Sequence, residues 1–284
     1  MATVSSQPSI GPLLREWRER RRLSQLELAL DARVSTRHLS FVETGRSRPG
    51  REMLLRILEQ LEVPFREQNR LLLASGHAPA FPERSLEDPD LLPVREALDQ
   101  ILTGHEPYPA VVVDRAWNLV ATNSAMLSLA EQVAIDPALL EPPVNVLRVG
   151  FHPRGLAPLI VNLGQWRAHF CQRLERQLAV TGDPDLAALL EEIAGYPISG
   201  DEPDPAPDPE AREMLGPVRF RAPGGGELSF FGMFATFDTP FEVTTSELAM
   251  ELLFPADQAT AEALGPQSNQ GGAQWSQVLI PPGI

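Results

Sequence analysis

Residues Leu23–Pro49 read LSQLELALDARVSTRHLSFVETGRSRP, and this run decides how the first part of the chain folds. Ser24 is a good N-cap, and Glu27 three residues on completes a capping box, so a short helix is predicted from Gln25 to about Ala32. Its Leu26, Ala29 and Leu30 recur at i, i+3, i+4 and are expected to face one core. Ser35 caps a second helix, whose Leu39 and Val42 supply the matching buried stripe. Gly45 stands where a helix closes through a left-handed residue. Only Arg33 and Val34 separate the two helices. They must therefore cross steeply, as in a helix-turn-helix.

The second helix keeps one face with no core to bury, carrying Thr36, Arg37, Ser40 and Phe41. Two hydroxyls, a guanidinium and an apolar ring are groups that hydrogen-bond base edges and touch a thymine methyl. Gln25, at the start of the first helix, is placed to hold a phosphate together with backbone N–H groups. Arg46 and Arg48 follow the second helix as further phosphate contacts. Upstream, Ile10, Leu13, Leu14 and Trp17 predict a helix over Ser9–Arg22 that leaves Arg18, Arg20, Arg21 and Arg22 largely toward solvent. Downstream, Leu54, Leu55, Leu58 and Leu61 predict a helix over Arg51–Leu61. Pro64 opens a fifth, Phe65–Ala74, with Leu71 and Leu72 inward.

Gln25-x-x-x-Ala29, Val34-Ser35, Leu39, Val42-Glu43-x-Gly45 and Arg48-Pro49 together resemble the lambda-repressor-like, xenobiotic-response-element class of regulators. The resemblance implies sequence-specific binding of double-stranded DNA by Gln25, Ser35, Thr36, Arg37, Ser40, Phe41, Arg46 and Arg48. One departure stands out. The family often has Gly where this chain has Arg33, and positive φ there strains a side chain by roughly 1–2 kcal/mol.

The charge distribution agrees with a nucleic-acid reader joined to something else. The chain has 284 residues and a net charge of −14, but its first 84 residues hold 14 Arg against 10 acids, net +4. The rest hold 10 Arg against 28 acids, net −18, which repels DNA. A single Cys171 excludes an intramolecular disulfide, and the N-terminus has no signal-peptide pattern. A cytoplasmic protein with no membrane segment is expected.

After the polar connector Phe81–Pro89 and an amphipathic helix over Leu91–Leu102, whose Leu92, Val94, Leu98, Ile101 and Leu102 are available to pack, the period changes to that of strands. Strands are predicted at Ala110–Asp114, Asn118–Thr122, Val218–Arg221, Leu228–Phe237, Phe241–Thr244 and Ala249–Phe254. Gly224–Gly226 makes a hairpin turn. Helices are predicted from Asn123 to about Glu131, over Trp166–Thr181 and Pro184–Ala194, and at Asp257–Leu264. Residues 1–8, the acidic Pro-rich Asp201–Glu210 and the Gly/Pro/Gln-rich tail read as disorder or loop.

Asp114-x-x-Trp117-Asn118, Asn123, Asn145-x-Leu147-Arg148 and Trp166 resemble the ligand-binding domain of MmyB-like transcription regulators, a PAS-type fold. The implied architecture is multidomain. It has an all-α five-helix DNA-binding domain over residues 1–80, a connector and linking helix over 81–108, and an α+β PAS-like sensor with an antiparallel sheet over 109–284.

ELSFFGMFATF (Glu227–Phe237) is apolar on both faces. It is either a strand buried on both sides or one wall of a cavity between sheet and helices. On the second alternative the ligand is a long lipophile such as a fatty acid. Phe230, Phe231, Met233, Phe234, Trp166 and Phe170 form the wall, and Arg148, His152 or Arg167 meets a carboxylate head. Arg148 has the alternative of an internal ion pair. No metal-ligand spacing, phosphate loop or nucleophile motif is present, so no cofactor beyond such a lipophile and no enzyme activity is expected. A homodimer on two half-sites completes the expectation. A second domain that only dimerises or binds a protein partner, or a sensor enzyme, is the alternative.

Overall fold

A computed structural model describes residues 10–197, 217–222, 224–237 and 242–265, and the backbone of Gln274–Trp275. The disorder expected for residues 1–8 and the loop expected at Asp201–Glu210 lie outside the described residues. The chain divides into two compact units, the first running to Arg84.

Helices α1 (Ile10–Arg20), α2 (Gln25–Asp31), α3 (Thr36–Glu43), α4 (Arg51–Gln60) and α5 (Phe65–Ala74) build the first unit. Leu14, Leu28, Leu39, Leu54 and Leu58 form its fully buried centre. The capping box is present: the Ser24 hydroxyl accepts from the Glu27 N–H, and the Glu27 carboxylate accepts from the Ser24 N–H at 2.7 Å. All five helices end in the same closure, with a left-handed residue followed by an N–H that reaches back five residues. Arg22, Arg33, Gly45, Glu62 and Gly76 occupy the left-handed position. The reaching donors are Leu23, Val34, Arg46, Val63 and His77. Arg33, at φ 55°, thus accepts at its turn the strain that a glycine would avoid.

Two expectations for this unit are corrected. Leu26 and Leu30 are 58% and 68% exposed, whereas Leu28, Ala29 and Ala32 are buried. The run of leucines fits two helical stripes, and the steep crossing selects the one centred on Leu28. Arg18 does not point to solvent. Its guanidinium donates to both Glu43 oxygens, at 2.7 and 3.0 Å, and to the Leu23 carbonyl at 2.8 Å. This ion pair ties α1 to α3. Gly11 lets the two approach, since a Cβ there would stand 2.5 Å from the Glu43 carbonyl oxygen.

The second unit contains α6 (Leu92–Gly104), β1 (Ala110–Val113), β2 (Leu119–Thr122), α7 (Ser124–Ala130), α8 (Val146–Phe151), α9 (Leu163–Thr181) and α10 (Pro184–Ala194). After these come β3 (Val218–Arg221), β4 (Glu227–Thr236), β5 (Ala249–Pro255), α12 (Gln258–Leu264) and β6 (Gln274–Trp275), while α11 (Val243–Ser246), between β4 and β5 in the chain, groups with the first unit. The strands form one antiparallel sheet in the order β3-β4-β5-β1-β2-β6.

Two elements and the packing of α6 differ from the sequence reading. Val243–Ser246 is helical, not a strand; it groups with the first unit, and its Val243 N–H donates to the Pro82 carbonyl. Gln274–Trp275, in the tail read as loop, pairs with β2. Leu92 and Ile101, expected to pack, are exposed.

Alternation along the strands gives the sheet two different faces. One carries Val112, Ala121, Met250 and Leu252 against Leu98 and Leu102 of α6. The other carries Val111, Val113, Phe220, Phe230 and Leu253 against Trp166, Phe170 and Leu174 of α9, with Leu189 and Ile193 of α10 behind.

Asp114, Asn118, Asn123 and Asn145, which carried the second resemblance with others, have structural roles. Asp114 accepts from the Ala116 and Asn118 N–H groups at 2.8 Å, folding a turn in which Trp117 sits at φ 66°. Asn145 caps α8 and donates to the Ala116 carbonyl; Asn123 caps α7 and also accepts from the Ala110 N–H. These asparagines bind the helices to the β1–β2 hairpin.

Candidate functional site

Two places concentrate chemistry. The first is the outer face of α3. Arg37 is exposed, and Thr36, Ser40 and Phe41 are half-buried beside it. The Arg37 guanidinium lies 5.3 Å from the Phe41 ring centroid and that of Arg46 6.0 Å, so two cations flank one ring. The closure after α3 makes this possible: the Arg46 N–H donates to the Phe41 carbonyl at 2.7 Å, folding Arg46 back beside the helix. Arg48 is exposed. Ser35 uses its hydroxyl to cap α3 at the His38 N–H. Gln25 is held from below, its amide donating to Glu43 Oε2 at 2.8 Å. The Arg18–Glu43 pair therefore also orients Gln25.

The second is a cavity of about 150 Å³ between the sheet and helices α7, α8 and α9. Val111 and Leu253 of the sheet, Met126 of α7, Phe151 of α8, and Trp166 and Phe170 of α9 line it. Trp166 approaches the sheet where β4 has Gly232, at which a Cβ would stand 3.4 Å from the indole Cη2. Thr122 and Glu251 are the polar side chains in an otherwise apolar lining. Burial pushes the Glu251 carboxyl up to about 7, with Arg173 nearby pulling the other way. Arg173 itself rests on Phe234, its guanidinium carbon 3.6 Å from the ring centroid, and burial lowers its pKa.

Of the residues expected to form the ligand wall, Trp166 and Phe170 line this cavity. The others stand elsewhere. Phe230 is fully buried and borders a separate cavity with Leu129 and Leu264. Phe234 packs edge-on to Trp117 and Phe170. Phe231 and Met233 are 50% and 46% exposed on the opposite sheet face, where α6 does not reach. The wall comes from helices more than from β4.

None of the expected head-group cations lines the cavity. Arg148 pairs with Glu192 at 2.9 Å, the internal ion pair considered for it. Arg167 donates to the Tyr196 carbonyl, and the His152 ring packs on Tyr196. Glu251 was missed, although a lone acid inside AMELLF (Ala249–Phe254) was a legible signal. Among the described residues, no group of three or more His, Cys, Asp or Glu is placed to hold a metal ion, and no helix is long and apolar enough to cross a membrane.

Comparison with known proteins bears on both places. Residues 94–265 match the family model of the MmyB-like transcription regulator ligand binding domain, and residues 14–68 match a helix-turn-helix family model. An uncharacterised HTH-type transcriptional regulator of Bacillus subtilis (strain 168), RghRB, is 31% identical over 115 residues, 40% of this chain and 74% of that protein.

Proposed function

The chain belongs to the MmyB-like transcription regulators, and from that premise we propose that α3 reads DNA while the cavity of the second unit binds the effector that controls it. The observation that carries the first half is the exposed Arg37 and Arg46 beside the half-buried Phe41, on the outer side of a helix whose opposite face is buried. In this assignment Arg37 and Phe41 meet base edges, with Thr36 and Ser40 as lesser contacts. Gln25, Ser35, Arg46 and Arg48 meet phosphates. The protein acts as a homodimer on two half-sites about 34–36 Å apart.

The second half rests on an apolar cavity lined by the sheet and three helices of one unit. Its ligand is a lipophile. A fatty acid satisfies the apolar lining but finds no cation among the described lining residues to meet its carboxylate. Effector and DNA are coupled reciprocally, each changing the other's affinity by the same factor.

Selection of bound fragments from a random DNA pool by the purified chain tests this proposal. Enrichment of a two-part site, lost in Arg37→Ala, supports it; failure to enrich any sequence at low salt contradicts it.

A further inference from the structure

The cavity has one ionisable lining residue among those described, and it is an acid. Glu251 lies on β5, opposite Val111 of β1 and Phe234 of β4, on the sheet face turned to α9. Its Oε1 comes within 3.6 Å of where a Cβ would stand on Gly232, so the missing side chain leaves the carboxyl beside the Trp166 indole. No hydrogen-bond or ion-pair partner engages the Glu251 carboxyl among the described residues. From α9, Arg173 acts on it through space, but that guanidinium is stacked on Phe234. His169 and Arg176 are the other charged or titratable groups near Arg173 on that helix. From β1, α7 and α8, the lining is uncharged.

An acid with unused hydrogen-bonding capacity at the wall of an apolar cavity selects for the head group of what enters. We propose that Glu251 is the head-group anchor, and that the ligand is an aliphatic molecule ending in a neutral hydrogen-bond donor, such as a primary alcohol. This deepens the proposal that the cavity is the effector site, and rests on it.

A hydroxyl donates to Glu251 when the carboxyl is ionised and accepts from it when protonated, so its binding is nearly indifferent to pH. A carboxylate head fares differently. Two carboxylates sharing one site do not both ionise, so a fatty acid enters only with uptake of a proton. An ammonium head meets the field of Arg173. The volume of about 150 Å³ is the size at which an apolar cavity admits benzene, which makes medium-length chains the right probes.

The test uses the full chain with 1-octanol, octanoate, octylamine and benzene, followed by calorimetry at pH 6 and pH 8. At pH 8, 1-octanol is expected to bind at least roughly tenfold more tightly than octanoate, and octanoate to gain roughly tenfold on going to pH 6 while 1-octanol hardly changes. Glu251→Gln is expected to erase the pH dependence of octanoate. Should that variant fail to fold, the ranking and pH profile of the wild type decide alone. Octanoate binding as tightly as 1-octanol at pH 8 overturns the anchor assignment, and octylamine binding more tightly than 1-octanol keeps Glu251 as the anchor but overturns the neutral head group. Either result leaves the effector site standing if benzene competes. Failure of all four to bind removes the effector site, and the anchor with it.

Discussion

Replacing Arg18 with Met should be among the most damaging single changes in the first unit. Arg18 and Glu43 have side chains 11% and 2% exposed and meet through two hydrogen bonds. Methionine keeps much of the aliphatic stem but leaves the Glu43 carboxylate buried with only the Gln25 amide as a side-chain donor. Removing one partner of a buried pair destabilises by about 3–5 kcal/mol, because the other charge stays desolvated. At 1.4 kcal/mol per decade this accelerates the slowest amide exchange in α1 and α3 by roughly a hundred- to several-thousand-fold. Native-state hydrogen exchange on the full chain reads this unit separately from the second. The double variant Arg18→Met/Glu43→Met should recover most of the loss, since an apolar pair of similar volume replaces an ion pair at little net expense. A loss below about 1 kcal/mol in the single variant, or a double variant no better than the single, refutes the assignment of this pair as the tie between α1 and α3.

Other outcomes follow from the same geometry. Gly11→Ala forces a Cβ to 2.5 Å from one backbone carbonyl oxygen and 2.6 Å from another, so α1 must retreat from α3. A loss of about 1–3 kcal/mol in urea unfolding is expected. Arg37→Ala should weaken operator binding by about 1–3 kcal/mol and relax one base position, whereas Arg46→Ala should weaken all sequences alike and lower the salt slope by about one; anisotropy titrations across a salt series distinguish them. Glu251 ionises near 7 in the folded chain and near 4.5 when unfolded. Between those values the unfolded chain has already lost its proton, so rising pH weakens the fold, and above about 7 the loss is complete. Glu251→Gln should therefore gain on the wild type by up to about 3 kcal/mol between pH 4.5 and 7 in thermal melts, with no further gain above.

Much of the first unit was legible because its signals are local. Capping residues, helix-closing glycines and leucine spacing act over three or four residues, and they placed all five helices. What failed there needed tertiary information. The stripe containing Leu26 and Leu30 and the one containing Leu28 and Ala32 are both helical, and only the crossing angle chooses. Arg18 looked like one of a run of surface arginines, and its partner Glu43 lies 25 residues away.

In the second unit, most strands and helices were readable from period and turns, but α8, the helix at Val243–Ser246 and the strand at Gln274–Trp275 were not. The site was less so. The aromatic run of β4 drew attention to Phe231 and Met233. A strand alternates faces, though, and which one meets α9 is set by the pairing of Phe234 with Glu251. The cavity wall comes from three successive helices closed against strands β1 and β5, which are far apart in the chain, and apolar residues of a core and of a cavity are the same residue types. Glu251 was the exception: a lone acid in the apolar run AMELLF was legible there, and it went unread.

The most direct test of the central claim is the affinity of the full chain for its selected operator, measured before and after stripping bound lipophile with a hydrophobic exchange resin. The proposed mechanism predicts a shift of about five- to 150-fold, the range of ordinary allosteric coupling, reversed when the stripped material is added back. Identical affinities, with a lipophile demonstrably removed and restored, would contradict control of DNA binding from the cavity.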